Sequence, residues 1–285
     1  MSKLKIALQK KGRLNEKSIV LLKECGIQIS NSSSKLKASA RNFPIEVLFL
    51  RDDDIPQYVE QQVADIGIVG ENEYLEKERE VDLTKRLGFS RCRLSLAIPR
   101  DIDYTGIGFF EGKKIATSYP NILKQYLDKK NITSEIEEIS GSVEIAPSIG
   151  LANGICDIVS TGSTLLTNGL KEVEQILKSE ALLIASKDLS NNKQQILKQL
   201  IFRIESVQNA KANKYILLNA PNDKLEIIST LLPGMKSPSI YPLANSNWSS
   251  LHSVVQEDDF WEIIDQLKSL GAQGILVLDI EKMIL

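Results

Sequence analysis

Cys156-Asp157-Ile158-Val159-Ser160-Thr161-Gly162-Ser163-Thr164-Leu165 is a short apolar strand that runs straight into a turn of hydroxyl residues and glycine, with a helix beginning near Ser163. A strand that ends in this way is one step of an α/β fold. The hydroxyls of Ser160, Thr161 and Thr164, the backbone N–H groups freed by Gly162 and the positive end of the helix can converge on a phosphate. Asp157 can receive ribose hydroxyls or a metal. The same string also fits a plain strand followed by a hydroxyl-capped helix, so the rest of the chain has to decide.

Working outward, strands and helices alternate from residue 4 to about 180. Leu4 to Leu8, Ile45 to Leu50 and Ile66 to Val69 read as strands, with helices from Asn15 to Cys25 and from Asp53 to Val63. A second run has strands at Arg93 to Ile98, Lys114 to Thr117, Glu135 to Ile139 and Ile155 to Ser160, with helices near Asn121 to Lys130 and Pro147 to Asn153. Each run is expected to form a lobe around a parallel sheet. Two further apolar strands, Val173 to Leu177 and Ala181 to Ile184, can carry the chain back to the first lobe, which leaves a cleft between the lobes as the natural ligand site. From Asn192 to about Ala212 an apolar stripe at helical period (Ile196, Leu197, Leu200, Ile201, Ile204, Val207) predicts a packed connecting helix. Beyond it, strand Tyr215 to Leu218, helix Asp223 to Leu231, strands Ser239 to Pro242 and Ser249 to Val255, helix Asp258 to Leu270 and strand Ile275 to Leu278 give the order βαββαβ, a ferredoxin-like unit. Asp258 or Asp259 is expected to cap its second helix and Gly271 to end it.

Composition restricts the function classes. The chain has 285 residues, is 42% hydrophobic and 25% charged, and carries 35 basic against 37 acidic side chains. It holds no long block of one sign, so neither a nucleic-acid nor a membrane surface is expected, and an anion site has to be local. The N-terminus turns strand-like between Met1 and Leu8 without a signal-peptide core, which predicts a cytoplasmic protein. Cys25, Cys92 and Cys156 lack metal spacing, and the single histidine, His252, alternates with apolar neighbours as a structural strand residue does.

Other strand ends repeat the theme of the hydroxyl turn. Lys10, Lys11 and Arg13 flank Gly12 after the first strand and suit a polyphosphate, with Asn15 or Ser18 available to cap the following helix. Arg51 precedes Asp52, Asp53 and Asp54, which either hold magnesium or, for Asp53 or Asp54, cap the next helix with Pro56 in its first turn. Gly67 and Gly70 let a ligand approach the backbone, with Glu71 placed to accept from it. Tyr119 in Ser118-Tyr119-Pro120-Asn121 can flank a base, although a simple turn fits equally. Glu144 sits in Gly141-Ser142-Val143-Glu144-Ile145-Ala146-Pro147, and paired with Asp157 it can accept from the two hydroxyls of a ribose.

With these residues in hand, the chain resembles the ATP phosphoribosyltransferase family in its long form, end to end. The strings that carry the likeness are IALQKKGRL, VLFLRDDDIPQYV, DIGIVGEN, CRLSLAIP, KIATSYPNILKQYLD, GSVEIAP, ICDIVSTGSTL, LLPGMKSPSIYPLA and ILVLDIEKM. The resemblance implies a two-lobed core of the type II periplasmic-binding-protein kind plus a C-terminal ACT-like domain. It divides the chain into a first lobe (1–90 with 180–205), a second lobe (91–179) and a regulatory domain (212–285). It implies transfer of the phosphoribosyl group of phosphoribosyl pyrophosphate (PRPP) to N1 of the adenine of ATP, with magnesium held mainly by PRPP and Asp157 as a possible ligand. Ser160, Thr161, Gly162, Ser163 and Thr164 then bind the 5-phosphate, and Glu144 and Asp157 the ribose. Lys10, Arg13, Arg51, Asp53, Gly70, Glu71 and Tyr119 serve ATP or polyphosphate. Histidine is the implied feedback inhibitor, near Ser239 and Gly274, in a homo-hexamer built from dimers. Ser148 and Ser163 depart from relatives, which often have arginine at the first position and arginine or alanine at the second. A two-lobed solute receptor or ligand sensor is the competing class; it would normally carry an export signal or a helix-turn-helix, and neither is evident.

Overall fold

The computed structural model describes residues 3–30, 36–245 and 247–285, so the whole of the expected first strand, Leu4 to Leu8, is described. The chain divides into two compact units, one covering 1–23 and 27–197 and the other 24–26 and 198–285.

The first unit holds two sheets. The first begins with β1 (Leu4–Gln9), α1 (Arg13–Glu24), β2 (Lys37–Ser39), β3 (Ile45–Leu50), α2 (Ile55–Glu60), β4 (Ile66–Gly70), α3 (Glu71–Lys77) and β5 (Val81–Arg86). The chain then enters a second sheet through β6 (Cys92–Pro99), β7 (Lys114–Thr117), α4 (Pro120–Lys130), β8 (Glu135–Glu138), β9 (Gly154–Val159), α5 (Ser163–Thr167) and β10 (Leu170–Ser179), and returns to the first through β11 (Ala181–Ser186). Strand order is β2-β3-β1-β4-β11-β5 in the first sheet and β10-β6-β9-β7-β8 in the second.

Neither sheet is purely parallel, contrary to the sequence-based expectation. β3, β1 and β4 run parallel, as do β8, β7 and β9, but β11 and β6 insert antiparallel beside them. The cause is the double crossing: a strand that arrives from the other sheet enters from the opposite end. The two crossings are bonded to each other, Leu87 N to Ala181 O and Ala181 N to Phe89 O, both at 2.9 Å. β11 reads ALLIAS and is buried throughout, the pattern of a strand covered on both faces. β5 reads VDLTKR and β2 is only three residues long; both lie at or next to a sheet edge, where mixed polarity is tolerated, and neither was expected from the sequence.

Helix α2 closes one face of the first sheet by burying Ile55 and Val59 with Ala7, Val69, Leu182 and Ile184. In the second sheet Leu94, Leu96, Ile115 and Leu123 surround the fully buried Phe110. The expected helix over 147–153 does not form. A 3-10 turn at Val143–Ile145 is followed by turns, because Pro147 is soon met by Gly150 at φ +75. Asp54 occupies the N-cap of α2 without a side-chain cap bond, and α1 starts at Arg13, so Asn15 and Ser18 instead bond backward to the carbonyls of Gln9 and Leu14.

The long helix α6 (Asn191–Ala212) precedes β12 (Asn213–Pro221), α7 (Leu225–Leu231), β13 (Ser239–Pro242), β14 (Trp248–Gln256), α8 (Glu257–Ser269) and β15 (Gln273–Asp279). Their antiparallel sheet has the order β13-β14-β12-β15, as the βαββαβ reading requires. Ile216, Leu218, Ile228, Leu251, Phe260 and Leu267 form its core. Gly271 ends α8 at φ +91 as expected, whereas the N-cap is Gln256 and Asp258 and Asp259 lie in the first turn. His252 is held in β14 between the Tyr215 hydroxyl (2.7 Å) and the Ser250 hydroxyl (3.0 Å), as a structural residue. No helix among the described residues is long and apolar enough to cross a membrane.

Candidate functional site

The carboxyl ends of β1, β3, β4, β7 and β9 deliver the candidate residues, as an open α/β sheet delivers its ligand groups. After β9, Gly162 takes φ +82 and lets the chain turn at once into α5. That helix has five residues, too few for much of a dipole, so anion binding here rests on hydroxyls and local N–H groups rather than on the helix end. Ser160, Thr161, Ser163 and Thr164 are exposed, and the Thr161 and Ser163 hydroxyls lie 3.0 Å apart. Arg13, the first residue of α1, reaches over from the first sheet and donates to Ser160 Oγ at 3.3 Å.

Asp157 behaves as a poised carboxylate. Burial pushes its pKa up to about 6, a hydrogen bond from Ile158 N (2.8 Å) opposes this, and the charge of Glu144 adds to it. The two carboxylates foreseen as a pair are thus close enough to feel each other. Thr117 Oγ1 donates to Cys156 O at 2.7 Å and accepts from Tyr119 N at 2.9 Å, which fixes the end of β7 against β9.

A cavity of about 360 Å³ lies among these strand ends, lined by Gln9, Arg13, Asp52, Glu73, Tyr119 and Ser160 among others. Gly70 also lines it, as does Ser90, whose buried Oγ has no hydrogen-bond partner among the described residues. A second cavity of about 530 Å³ shares Arg91, Cys92 and Ser160 with the first and adds Arg86, Arg93 and Lys178. Lys10 is exposed, with no side-chain partner among the described residues.

Three of the expected contacts are already engaged within the protein. Glu71 forms a two-point ion pair with Arg86 rather than presenting a free acceptor. Arg51, largely exposed, pairs with Asp53 at 3.1 Å, while Asp53 Oδ1 is buried and has no hydrogen-bond partner among the described residues. Tyr119 is 8% exposed, and its hydroxyl is bonded to Glu73 and Asn72. Asn72, Glu73 and Arg91 were not singled out from the sequence. Glu73 is one residue past the quoted DIGIVGEN and Arg91 one residue before CRLSLAIP, so position beside a strand end was the only signal. Ser239 and Gly274 sit on opposite edge strands of the C-terminal sheet.

A magnesium cage built from protein alone is not present: among the described residues no three His, Cys, Asp or Glu side chains converge. The donors near the cleft, Asp52, Asp157 and hydroxyls, are hard oxygens that fit magnesium when a substrate supplies the remaining ligands.

Residues 51–206 match the family ATP phosphoribosyltransferase, and residues 210–282 match the HisG C-terminal domain. Two relatives named ATP phosphoribosyltransferase are similar throughout. The one from Phocaeicola vulgatus is 60% identical over 99% of this chain and 100% of its own length; that of Parabacteroides distasonis is 61% identical over 99% of each. Among solved structures, an ATP phosphoribosyl transferase (HisG:HisZ) complex from Thermotoga maritima superposes with a TM-score of 0.61 at 30% identity, covering 71% of this chain and 96% of that one. The substrate-binding protein of an amino acid ABC transporter, with a TM-score of 0.50 at 11% identity over 73% of this chain and 94% of its own, shares the fold alone. Two domain matches in succession and identity along the whole length place the chain in the ATP phosphoribosyltransferase family, in the form with its own C-terminal domain, whose reaction of ATP with PRPP opens histidine biosynthesis.

Proposed function

We propose that transfer takes place in the cleft between the two sheets of the first unit, with the hydroxyl loop Ser160 to Thr164 on the 5-phosphate and Glu144 and Asp157 on the ribose hydroxyls. The hydrogen bond from Arg13 to Ser160 carries this reading, because it puts the basic turn after β1 against the hydroxyl loop after β9. Lys10, Arg13 and Arg51 then meet polyphosphate; Arg51 exchanges Asp53 for phosphate when it does so, and Glu71 serves through Arg86. Gly70 and Tyr119 line the cavity in which the adenine sits. The lobes are 1–90 with 180–205 and 91–179, followed by an ACT-like regulatory domain at 212–285.

The adenine N1 lone pair attacks C1 of the ribose, the C1–O bond to diphosphate breaks with its electron pair, and the anomeric carbon inverts. No strong base is needed for the attack, so holding the two reactants in line is the main task of the chain. Asp157 and Glu144 face the carbon that becomes positive, and their carboxylates stabilise that charge while orienting the sugar. Asp157 and the loop hydroxyls would help hold a magnesium ion that arrives with PRPP, and the ion would neutralise charge on the leaving group. The protein works in the cytoplasm as a homo-hexamer built from dimers, inhibited by histidine bound to the C-terminal domain near Ser239 and Gly274. Those residues lie on opposite edges of one sheet, which favours a pocket completed by a second copy.

The test is absorbance of the purified protein with ATP, PRPP and magnesium, with pyrophosphatase to draw the reaction forward, repeated with histidine. An N1-substituted adenine chromophore suppressed by histidine is expected. Tight binding of either ligand without a chromophore would move the assignment to a ligand-binding module.

A further inference from the structure

Helix α3 of the first sheet turns two carboxylates toward the second. Glu73 and Glu76 are three residues apart, hence on one face, and are 8% and 4% exposed. Glu76 accepts from Asn121 N and Ile122 N, both at 3.0 Å, and so satisfies free amides at the start of α4. Glu73 Oε1 accepts from the Tyr119 hydroxyl at 3.0 Å and from Asn72 Nδ2 at 3.2 Å, and Asn72 Nδ2 also donates to the Tyr119 oxygen at 3.1 Å. The Ser179 hydroxyl donates to Asn72 Oδ1 at 2.9 Å, which extends the network to the last residue of β10, where the chain crosses back between the sheets. A Cβ at position 70 would lie 2.5 Å from Asn72 Oδ1, so glycine there is what lets the asparagine sit in the network.

Glu76 accounts for the first amides of α4, which is a docking role. Glu73 does something further, since it and Tyr119 both line the cavity between the strand ends. We infer that Glu73 is a positioning residue for the phosphoribosyl transfer: through the Tyr119 hydroxyl it registers the β7–α4 turn of the second lobe against the first lobe at the floor of the cleft. This rests on the cleft being the site of transfer. On that reading PRPP lies mainly on the second lobe while ATP reaches from Lys10 and Gly70 of the first to Tyr119 of the second, so an error in register is felt when the two reactants are brought in line, and it falls on kcat more than on KM.

The charged groups that face Glu73 are Lys77 on its own helix, Asp52 and Asp53 on the turn after β3, and the Tyr119 hydroxyl from the second lobe. Burial pushes the Glu73 carboxyl up to about 7; the Tyr119 hydrogen bond and Lys77 oppose this, and Asp52 and Asp53 add to it. The acid and the carboxylate both accept from Tyr119, and the charged form accepts more strongly. Glutamine retains the acceptor oxygen and does not titrate.

The experiment measures kcat and KM across neutral pH for Glu73→Gln, Glu73→Ala, Tyr119→Phe and the Glu73→Ala/Tyr119→Phe double variant, each checked by thermal unfolding, with Asp157→Ala alongside. Glu73→Ala and Tyr119→Phe are each expected to lower kcat about tenfold with KM little changed, and the double variant is expected to be no worse than either alone. Glu73→Gln should restore kcat to within about threefold and lack the inflection near pH 7, keeping that of Asp157 near 6. Additive losses, a failure of glutamine to rescue, or wild-type kcat in Glu73→Ala would overturn the inference while Asp157→Ala stays about 100-fold slower. Normal turnover in Asp157→Ala would instead overturn the site assignment beneath it.

Discussion

The Asp157 carboxyl sits where burial disfavours its charge. Burial raises its pKa, so the folded chain holds it charged only at a cost, and a structural role would have selected an amide or an apolar residue. Asp157→Ala is therefore expected to lower kcat by about 100-fold while leaving the melting temperature at neutral pH unchanged or higher; a proportionate loss of both would show a structural residue. Glu144 sets part of the same poise through its negative charge. Removing that charge in Glu144→Gln stabilises the Asp157 carboxylate and lowers its pKa, so the acid limb of kcat/KM near pH 6 is expected to move to lower pH. An unmoved limb would mean that some other group titrates there. The proximity of these two carboxylates could be expected because each lies beside a turn that contains a glycine, near a strand end. Glu71 was misjudged because its partner, Arg86, lies fifteen residues on across a helix and a strand, beyond any local pattern.

At the scale of elements, α3 is the piece whose role was hidden. In sequence it reads ENEYLEK, an ordinary polar helix, and only the folded chain shows Glu71, Glu73 and Glu76 all buried. The reason is physical: the burying surface comes from α4 and from β5 or β10, brought there by two chain crossings that no window of residues records. The same crossings made the sheets mixed rather than parallel. Central strands such as β4 and β11 were legible because burial on both faces demands an unbroken apolar run, while the short or charged β2 and β5 carried no such mark. Since the folded pKa of Glu73 is raised from 4.5 to about 7, its contribution to stability is fully present below about 4.5 and is lost as pH rises through 7. The loss is on the order of 3 kcal/mol. Glu73→Gln should thus gain stability over the wild type at pH above 7 and little of it near pH 5, measured by denaturant unfolding at both. Equal differences at the two values would mean that the carboxyl does not change its charge on folding.

For the molecule as a whole, the C-terminal domain leaves a question that its own core does not answer. Its sheet order ends in β15, which pairs with β12 on one side only, and Leu276, Val277 and Leu278 in that strand are 54%, 45% and 46% exposed. Consecutive residues point to opposite faces, so the strand is apolar on both faces as well as open at its edge. Edge strands that stay in water are usually broken by charge or proline, and from Ile275 to Leu278 this one has neither. In the proposed hexamer, a second copy that covers β15 accounts for the pattern, and the proposed histidine site lies where the copies meet. Leu276→Lys places a charge on the open strand, on the sheet face opposite to that of the core residue Ile216 and the neighbouring Ile275. Sedimentation velocity of the full chain is expected to show a hexamer for the wild type and smaller species for the variant, with histidine inhibition weakened in parallel. A variant that stays hexameric and fully inhibited would place both the contact and the effector pocket on another surface of the domain.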